Sequence, residues 1–465
     1  MAVAMLWERL DSIDPILPLW EGSNTKSSSA ISVSTVPKRV AKYTRHVHAI
    51  ALESGTIPPA WLTKLASPLF ANLKRLRWDV PSNTVIQPFS SFVVPSVVAV
   101  RVHAAFDAIP SQDPDWDFLT ALSNGVGAIA RRCTALTDLE LIWNGGPLLR
   151  TSIVDMLSPL LSLQTLRIST NLLASRQALF TLSKLPSLRS LEITHFEETL
   201  LYGMDLVPAS AGFNALEAFS LDGPFPVVHD LLKSLPCCRV RQCILSMTGN
   251  TSQRHQRTAV DLLARRFGAS LDALLLSFLG SACRPHIAHT TLSPLFLDTV
   301  LPTLRTLDLV DVSLAWLAPR SVSDALCADM AAAWPRLRAI RLGSAEAVMY
   351  PPLCMVTLRG LRHFAERCPH LEDVRLQVNA AGDHWAAEAR SACVSVERAA
   401  RAVKLDLATS LVTHPEGVAA YLRACFRTVS ELRFGRNNVQ PYVLDGRVAA
   451  WDKLCSLLLS DRAAL

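Results

Sequence analysis

Few of the patterns that announce chemistry are present in this sequence. There is no GxxxxGK phosphate loop, no GxSxG nucleophile turn and no HExxH zinc helix. Eleven cysteines are scattered without one CxxC pair, so neither a zinc ribbon nor a dithiol redox motif is written here. No apolar run approaches the roughly 20 residues of a membrane helix, and Glu8 and Asp11 interrupt the apolar core that a signal peptide needs. These gaps predict an intracellular chain of cytoplasm or nucleus, with reduced thiols, no membrane partner, no metal and no cofactor. Charge of one sign is also scarce: 46 Lys+Arg stand against 40 Asp+Glu. The densest basic run, Lys38, Arg39, Lys42 and Arg45, is short, so no nucleic-acid partner is expected.

Hydrophobic residues, by contrast, make up 50% of the chain and only 18 of 465 residues are glycine, which suits a large core and argues against wholesale disorder. One phrase recurs: LPSLRSLEI (185–193), LPTLRTLDL (301–309), WPRLRAIRL (334–342) and CPHLEDVRL (368–376). Aligned on it, apolar triads at n, n+3 and n+5 begin at Val47, Leu73, Val97, Leu136, Leu163, Leu188, Leu216, Val240, Leu271, Leu304, Leu337, Leu371, Ala402 and Val429. The mean step of about 29 residues lies at the long end for leucine-rich repeats. The insertion SQDPDWDF (111–118) accounts for the one long step as an added loop.

Proline stands two residues before the triad at Pro95, Pro186, Pro302, Pro335 and Pro369. Proline after a helix C-terminus blocks continuation and pushes the preceding residue toward extended geometry. Amphipathic stretches of helical period precede several triads, over 227–236, 257–267, 322–335 and 359–369. Asparagine follows at n+8 at Asn144, Asn171, Asn379 and Asn437, where a leucine-rich repeat uses it to bond backbone between neighbouring coils.

Helix, proline, strand is thus the repeated unit. Residues n+3 and n+5 point to one side of a strand and meet the apolar face of a helix. No single repeat closes that core, so neighbours stack. The expected fold is an α/β leucine-rich-repeat solenoid, a horseshoe with a parallel concave sheet and convex helices. It occupies residues 39–465, after a short segment 1–21 and a Ser/Thr-rich linker or loop over 22–38.

Candidate chemistry is thin. GVGAIA (125–130) matches a dinucleotide fingerprint but leads into a strand instead of following one, so it reads as the helix before Leu136. Cys283, His286 and His289 have metal-like spacing but no fourth ligand, and read as a loop. Cys243 takes a core position and Cys368 a place that Leu or Trp fills in sister repeats, so packing explains both. Trp78 and Trp334 read as core, whereas Trp143 at n+7 reads as half exposed and able to touch a ligand. No catalytic residue is assigned, and the chain reads as a non-enzyme.

Function in this architecture is expected on the concave face. Its n+4 row runs Ala51, Arg77, Arg101, Glu140, Arg167, Glu192, Ser220, Ile244, Leu275, Asp308, Arg341, Arg375, Asp406 and Arg433. Ile244 and Leu275 break a polar row on consecutive repeats, with Arg341 and Arg375 two and three strands beyond. An apolar centre with arginine nearby has the composition of an interface hot spot. Ile244, Leu275, Arg341, Arg375, Arg167 and Trp143 are the residues expected to meet a protein partner.

The repeat body resembles the ribonuclease-inhibitor-like leucine-rich repeats. LWERLDSIDPILPLW (6–20) followed by VAKYTRHVHAIAL (40–52) resembles the layout of fungal F-box-like proteins, through Leu6, Trp7, Leu10, Ile16, Leu17 and Tyr43. The resemblance implies that 1–21 is a residual helical segment following a missing F-box, and that the repeats are the substrate-binding part of a ubiquitin ligase receptor. A cullin-RING adaptor would then be a partner only through that missing F-box. The alternative is a free-standing leucine-rich-repeat scaffold or regulator with no ubiquitin link.

Overall fold

Each apolar triad proves to be the buried side of a short strand. The computed structural model describes residues 9–10, 44–52, 70–80, 92–105, 116–144, 153–173, 177–194, 212–249, 251–279, 295–315, 322–343, 355–392, 402–407, 410–434 and 445–459. The chain divides into two compact units, Met1–Arg239 and Val240–Leu465.

Among the described residues of the first unit, eight strands run parallel, each paired with the next: β1 (Arg9–Leu10), β2 (Ala49–Leu52), β3 (Arg75–Val80), β4 (Ala99–Ala105), β5 (Asp138–Asn144), β6 (Thr165–Ser169), β7 (Ser190–Thr194) and β8 (Ala218–Pro224). Their connections include α1 (Trp116–Arg132), two 3-10 turns (Val154–Leu157 and Thr170–Leu173) and α2 (Ala178–Ser183), and α3 (Phe225–Ser234) follows β8. Arg9 and Leu10, the described residues of the opening segment, are extended and not helical. The rest of 1–21, the linker 22–38 and Tyr43 lie outside the described residues. GVGAIA falls within α1, as its place before a strand requires.

In the second unit, β9 (Gln242–Thr248), β10 (Ala273–Leu279), β11 (Asp311–Leu314), β12 (Ala339–Leu342), β13 (Asp373–Leu376), β15 (Val403–Asp406) and β17 (Val429–Arg433) form a parallel sheet. Between them run α4 (Gln253–Phe267), α5 (Leu297–Leu304), α6 (Asp324–Ala333), α7 (Leu358–Arg367), α8 (Trp385–Ala392) and α9 (Pro415–Cys425), with α10 (Asp445–Leu459) last. A second pair, β14 (Asn379–Ala380) and β16 (Leu411–Val412), is also parallel. This is the architecture of a leucine-rich-repeat α/β solenoid.

The helices form for reasons visible in their sequences. Ser252 caps α4 by accepting the N–H of His255 at 3.3 Å, and Gln256, Ala259, Val260, Leu263 and Phe267 turn one buried face to the sheet. Arg265 and Arg266 in its last turn suit the negative end of the dipole. Ser323 and Thr357 cap α6 and α7 in the same way. Asp324, at the first turn of α6, accepts both the N–H and the hydroxyl of Thr357 at 2.7 Å, tying successive helix starts together.

The triads supply the core. Leu188, Leu191 and Ile193 are fully buried, as are Leu163, Leu166 and Ile168; each such side chain contributes about 1.5–3 kcal/mol. Trp78 and Trp334 are core residues, and the Trp334 indole N–H donates to the Leu304 carbonyl at 3.2 Å.

One backbone device recurs between coils. The carbonyl at n+1 accepts from the N–H groups of n+1 and n+2 in the next coil. His48 accepts from Lys74 and Arg75, Thr137 from Gln164 and Thr165, Arg241 from Asp272 and Ala273, and Arg338 from Glu372 and Asp373.

That device corrects the repeat assigned to Leu304. Asp272 accepts from Val310 (2.7 Å) and Asp311 (3.0 Å), so Leu309 is the first position of this repeat and Leu309, Val312 and Leu314 are its triad. LPTLRTLDL is instead the end of α5 and the turn after it. Pro302 sits inside α5, giving up one helical N–H instead of ending the helix. Two triads overlap in LRTLDLVDVSL, and the chain uses the later one. A smaller correction falls at Ala402, which is exposed; the strand is bulged between Val403 and Lys404, and Val403 takes the core place.

Asn379 does not bridge coils through its side chain: its Oδ1 accepts from Ala381 N–H at 3.1 Å, within its own turn. The cross-coil bond there comes from Ser410, whose Oγ accepts from Val378 N–H at 2.7 Å and donates to the Leu407 carbonyl. The side chains of Asn144 and Asn171 lie outside those described, as does Asn437.

Candidate functional site

Side chains alternate along a strand, so the positions between the buried ones form rows across the face away from the helices. In the first unit, register places Ala51, Arg77, Arg101, Glu140, Arg167, Glu192 and Ser220 side by side. Glu140 is the hub. Its carboxylate lies 3.1 Å from Arg101 Nε, 2.9 Å from His103 Nε2 and 3.2 Å from an Arg167 guanidinium nitrogen. Arg167 reaches onward to Glu192, Nε standing 3.0 Å from Oε1 but not aligned for a hydrogen bond. Exposed ion pairs are each worth about 0–1 kcal/mol, so this lattice orders the face more than it stabilises the fold.

In the second unit the corresponding row is Ile244, Leu275, Ser313, Arg341, Arg375, Asp406 and Arg433. Ser313 takes the place expected of Asp308, a consequence of the shifted repeat. Asp308 lies in the turn and pairs with Arg336 at 2.6 Å. Ile244 and Leu275 are register partners, and Ile244 is 43% exposed, unusual for so large an apolar side chain on a strand. Arg341 is held between Asp311 (3.1 Å) and Asp373 (2.7 Å), and Arg375 stands 3.4 Å from Asp406. Both arginines lie farther along the row, on one side of the apolar pair, with their charge already offset.

Arg167 therefore belongs to the first unit's row, and Ile244, Leu275, Arg341 and Arg375 share a row in the second. Trp143 lies on β5 opposite Ala104, and its side chain is outside those described. A sparser row lies on the same face at n+6. It carries Asp79 beside His103, 3.6 Å apart, and Thr194 beside Asp222. Asp222 Oδ1 and Thr194 Oγ1 are enclosed without a hydrogen-bond partner among the described residues. Burial, reinforced by the charge of Glu192, raises the Asp222 carboxyl to about 6. An isolated Asp at the end of an alternating strand was the only sequence signal, and alternation alone does not tell an enclosed position from an open one.

Among the described residues, no group of three or more His, Cys, Asp or Glu is placed to hold a metal, and no helix is long and apolar enough to cross a membrane. CRPHIAH lies outside them. A gap among Val102, Leu122, Val126, Leu141, Ile142, Ile153 and Leu172 encloses about 10 Å³, room for at most one water and lined by apolar groups. An open depression of about 410 Å³ lies among Asp272, Val310, Arg336, Arg338 and His370; Arg338 there is paired with Glu372 at 2.9 Å.

The buried cysteines are chemically quiet. Burial pushes the thiols of Cys133 to about 11 and of Cys368 and Cys425 to about 12, far from the thiolate that reacts. Iodoacetamide applied to the native protein should alkylate exposed Cys237 while these three stay unmodified until denaturant is added. Peptide mapping showing Cys368 modified before Cys237 would contradict the packing role.

No protein-family model matches the chain, and no curated protein matches it. Among solved structures, the chain is similar to one in the crystal structure of the Rad7 and Elc1 complex in yeast. The identity is 14%, with 68% of this chain and 76% of that chain covered at a TM-score of 0.33.

Proposed function

We propose that this chain is a non-enzymatic, intracellular recognition solenoid that holds a protein partner on the open face of its sheet. The observation carrying the proposal is the Ile244–Leu275 pair, apolar side chains in lateral register in a row of this unit that is otherwise polar. Arg341 and Arg375 continue the same row. Leaving such a side chain in water forgoes stabilisation that burial would give, and aromatic or aliphatic anchors ringed by polar groups dominate interface energetics. The resemblance of residues 6–20 and 40–52 to fungal F-box-like proteins supports the finer reading of a substrate-binding part in a ubiquitin ligase receptor. A cullin-RING adaptor would then join through an F-box.

The test is a double variant, Ile244→Ser with Leu275→Ser, titrated against a partner recovered by affinity capture with the unmodified chain. Truncating a central apolar anchor costs about 2 kcal/mol, roughly thirtyfold in affinity. Thermal unfolding should fall less than affinity does, because Ile244 is exposed and Leu275 is only part-buried. Arg77→Ala, in the first unit, should affect binding less. Equal losses of stability and affinity in the double variant would show that the pair is packing and not contact.

A further inference from the structure

On the face shared by β7 and β8, acceptors outnumber donors. Glu192 lies at n+4 and Thr194 at n+6 on β7, and Asp222 lies beside Thr194 on β8. The one described cation close by, Arg167, approaches Glu192 without hydrogen-bond alignment and already serves Glu140. Thr194 is only 6% exposed, yet among the described residues its hydroxyl has no hydrogen-bond partner, and neither has Asp222 Oδ1. Buried polar atoms are nearly always paired, because leaving one unpaired costs about 1–3 kcal/mol. Two carboxylates and an unpaired hydroxyl together lack what a cation with several N–H groups carries.

We infer that Glu192, Thr194 and Asp222 form a receptor site for a basic side chain of a partner protein. The guanidinium of arginine has five donors in a planar fork and the ammonium of lysine three. Glu192 and Asp222 stand diagonally, two positions apart in register on adjacent strands, and either cation could reach between them, diagonal neighbours being about 7–8 Å apart and within reach of long side chains. The chemistry is that of a charge-assisted hydrogen-bond pair in a partly dehydrated place, where such bonds are strongest. Selectivity would come against acidic segments, which these carboxylates repel. This inference rests on the reading of the open sheet face as a recognition surface, and adds the charge of one contact.

The probe is a fluorescently labelled deca-arginine peptide titrated with the full chain by anisotropy. The chain's net charge of +6 opposes non-specific capture of a polycation. Asp222→Asn and, separately, Glu192→Gln should each weaken binding fivefold or more. Asp308→Asn is the control: it removes the same charge from an exposed turn and should change affinity less than twofold. No binding by the unmodified chain, or equal weakening by Asp222→Asn and Asp308→Asn, would overturn the site. Neither result would touch the recognition reading itself, which stands or falls on the Ile244 and Leu275 variant in the other unit.

Discussion

Replacing Val312 by Asp is expected to unfold the unit Val240–Leu465, whereas Ser313→Asp, one residue later, should leave it folded. Val312 is fully buried and pairs in register with Leu274 and Ile340, both of which also face the helices. An ionised carboxylate there has no partner, and the cost exceeds the roughly 4–5 kcal/mol that marks exceptional substitutions. Repeats are stabilised largely by their neighbours, so a coil lost in the middle of the run withdraws support from both sides. Ser313 faces the other way, between Leu275 and Arg341. A carboxylate at that place is part-exposed and next to a guanidinium, and its effect should be small beside that of Val312→Asp, about 1 kcal/mol or less. Thermal unfolding followed by circular dichroism, with limited proteolysis alongside, separates the two outcomes. Comparable losses in both variants would mean that β11 is out of register. Leu307→Asp is also expected to destabilise severely, but Leu307 is buried whichever triad the repeat uses and so does not report on register.

Why that one repeat misled the sequence reading follows from its residues. Proline two places before an apolar triad identifies the helix-to-strand turn at Pro186, Pro335 and Pro369, where the helix has ended by the residue two or three earlier. Pro302 satisfies the same spacing inside a helix, because α5 tolerates one missing donor in eight residues. Period and proline are local signals, whereas the choice between overlapping triads is made by the neighbouring strand, through the carbonyl of Asp272. Elsewhere local signals sufficed: Leu136, Leu139 and Leu141 or Leu371, Val374 and Leu376 could be placed in the core from spacing alone. The rows on the open face were legible wherever the repeat frame was right, which is why Ile244 and Leu275 meet. That Arg341 would be clamped by Asp311 and Asp373 depends on diagonal reach across strands, and the enclosure of Asp222 depends on what packs beside a strand end. Neither is encoded in a repeat pattern.

Asp222→Asn should make the protein more stable, and only above about pH 4–6. The ordinary value for the carboxyl is 3.8, and burial with Glu192 nearby raises it to about 6. Below the ordinary value the group is protonated whether the chain is folded or not, so it costs nothing. Between the two values folding must take up a proton, and above the higher one the folded chain carries a charge it disfavours. Stability is therefore withdrawn as pH rises through this window and is not regained at higher pH. A shift of this size corresponds to about 3 kcal/mol at the upper end, which for a unit of this length means several degrees in melting temperature. Asparagine keeps the shape, carries no charge and brings an amide that can donate to Glu192 or Thr194. Melting curves of the two proteins should thus coincide near pH 4 and separate by pH 8, the variant melting higher. A constant gap across that range would show that the gain comes from packing and not from charge. The same curves bear on the basic-side-chain site, since a ligand that binds only the folded chain raises its melting temperature by mass action. Deca-arginine at pH 8 should recover for the unmodified protein part of what Asn gives the variant, and should stabilise the variant less, because the carboxylate that costs stability when empty is the one a bound guanidinium would neutralise.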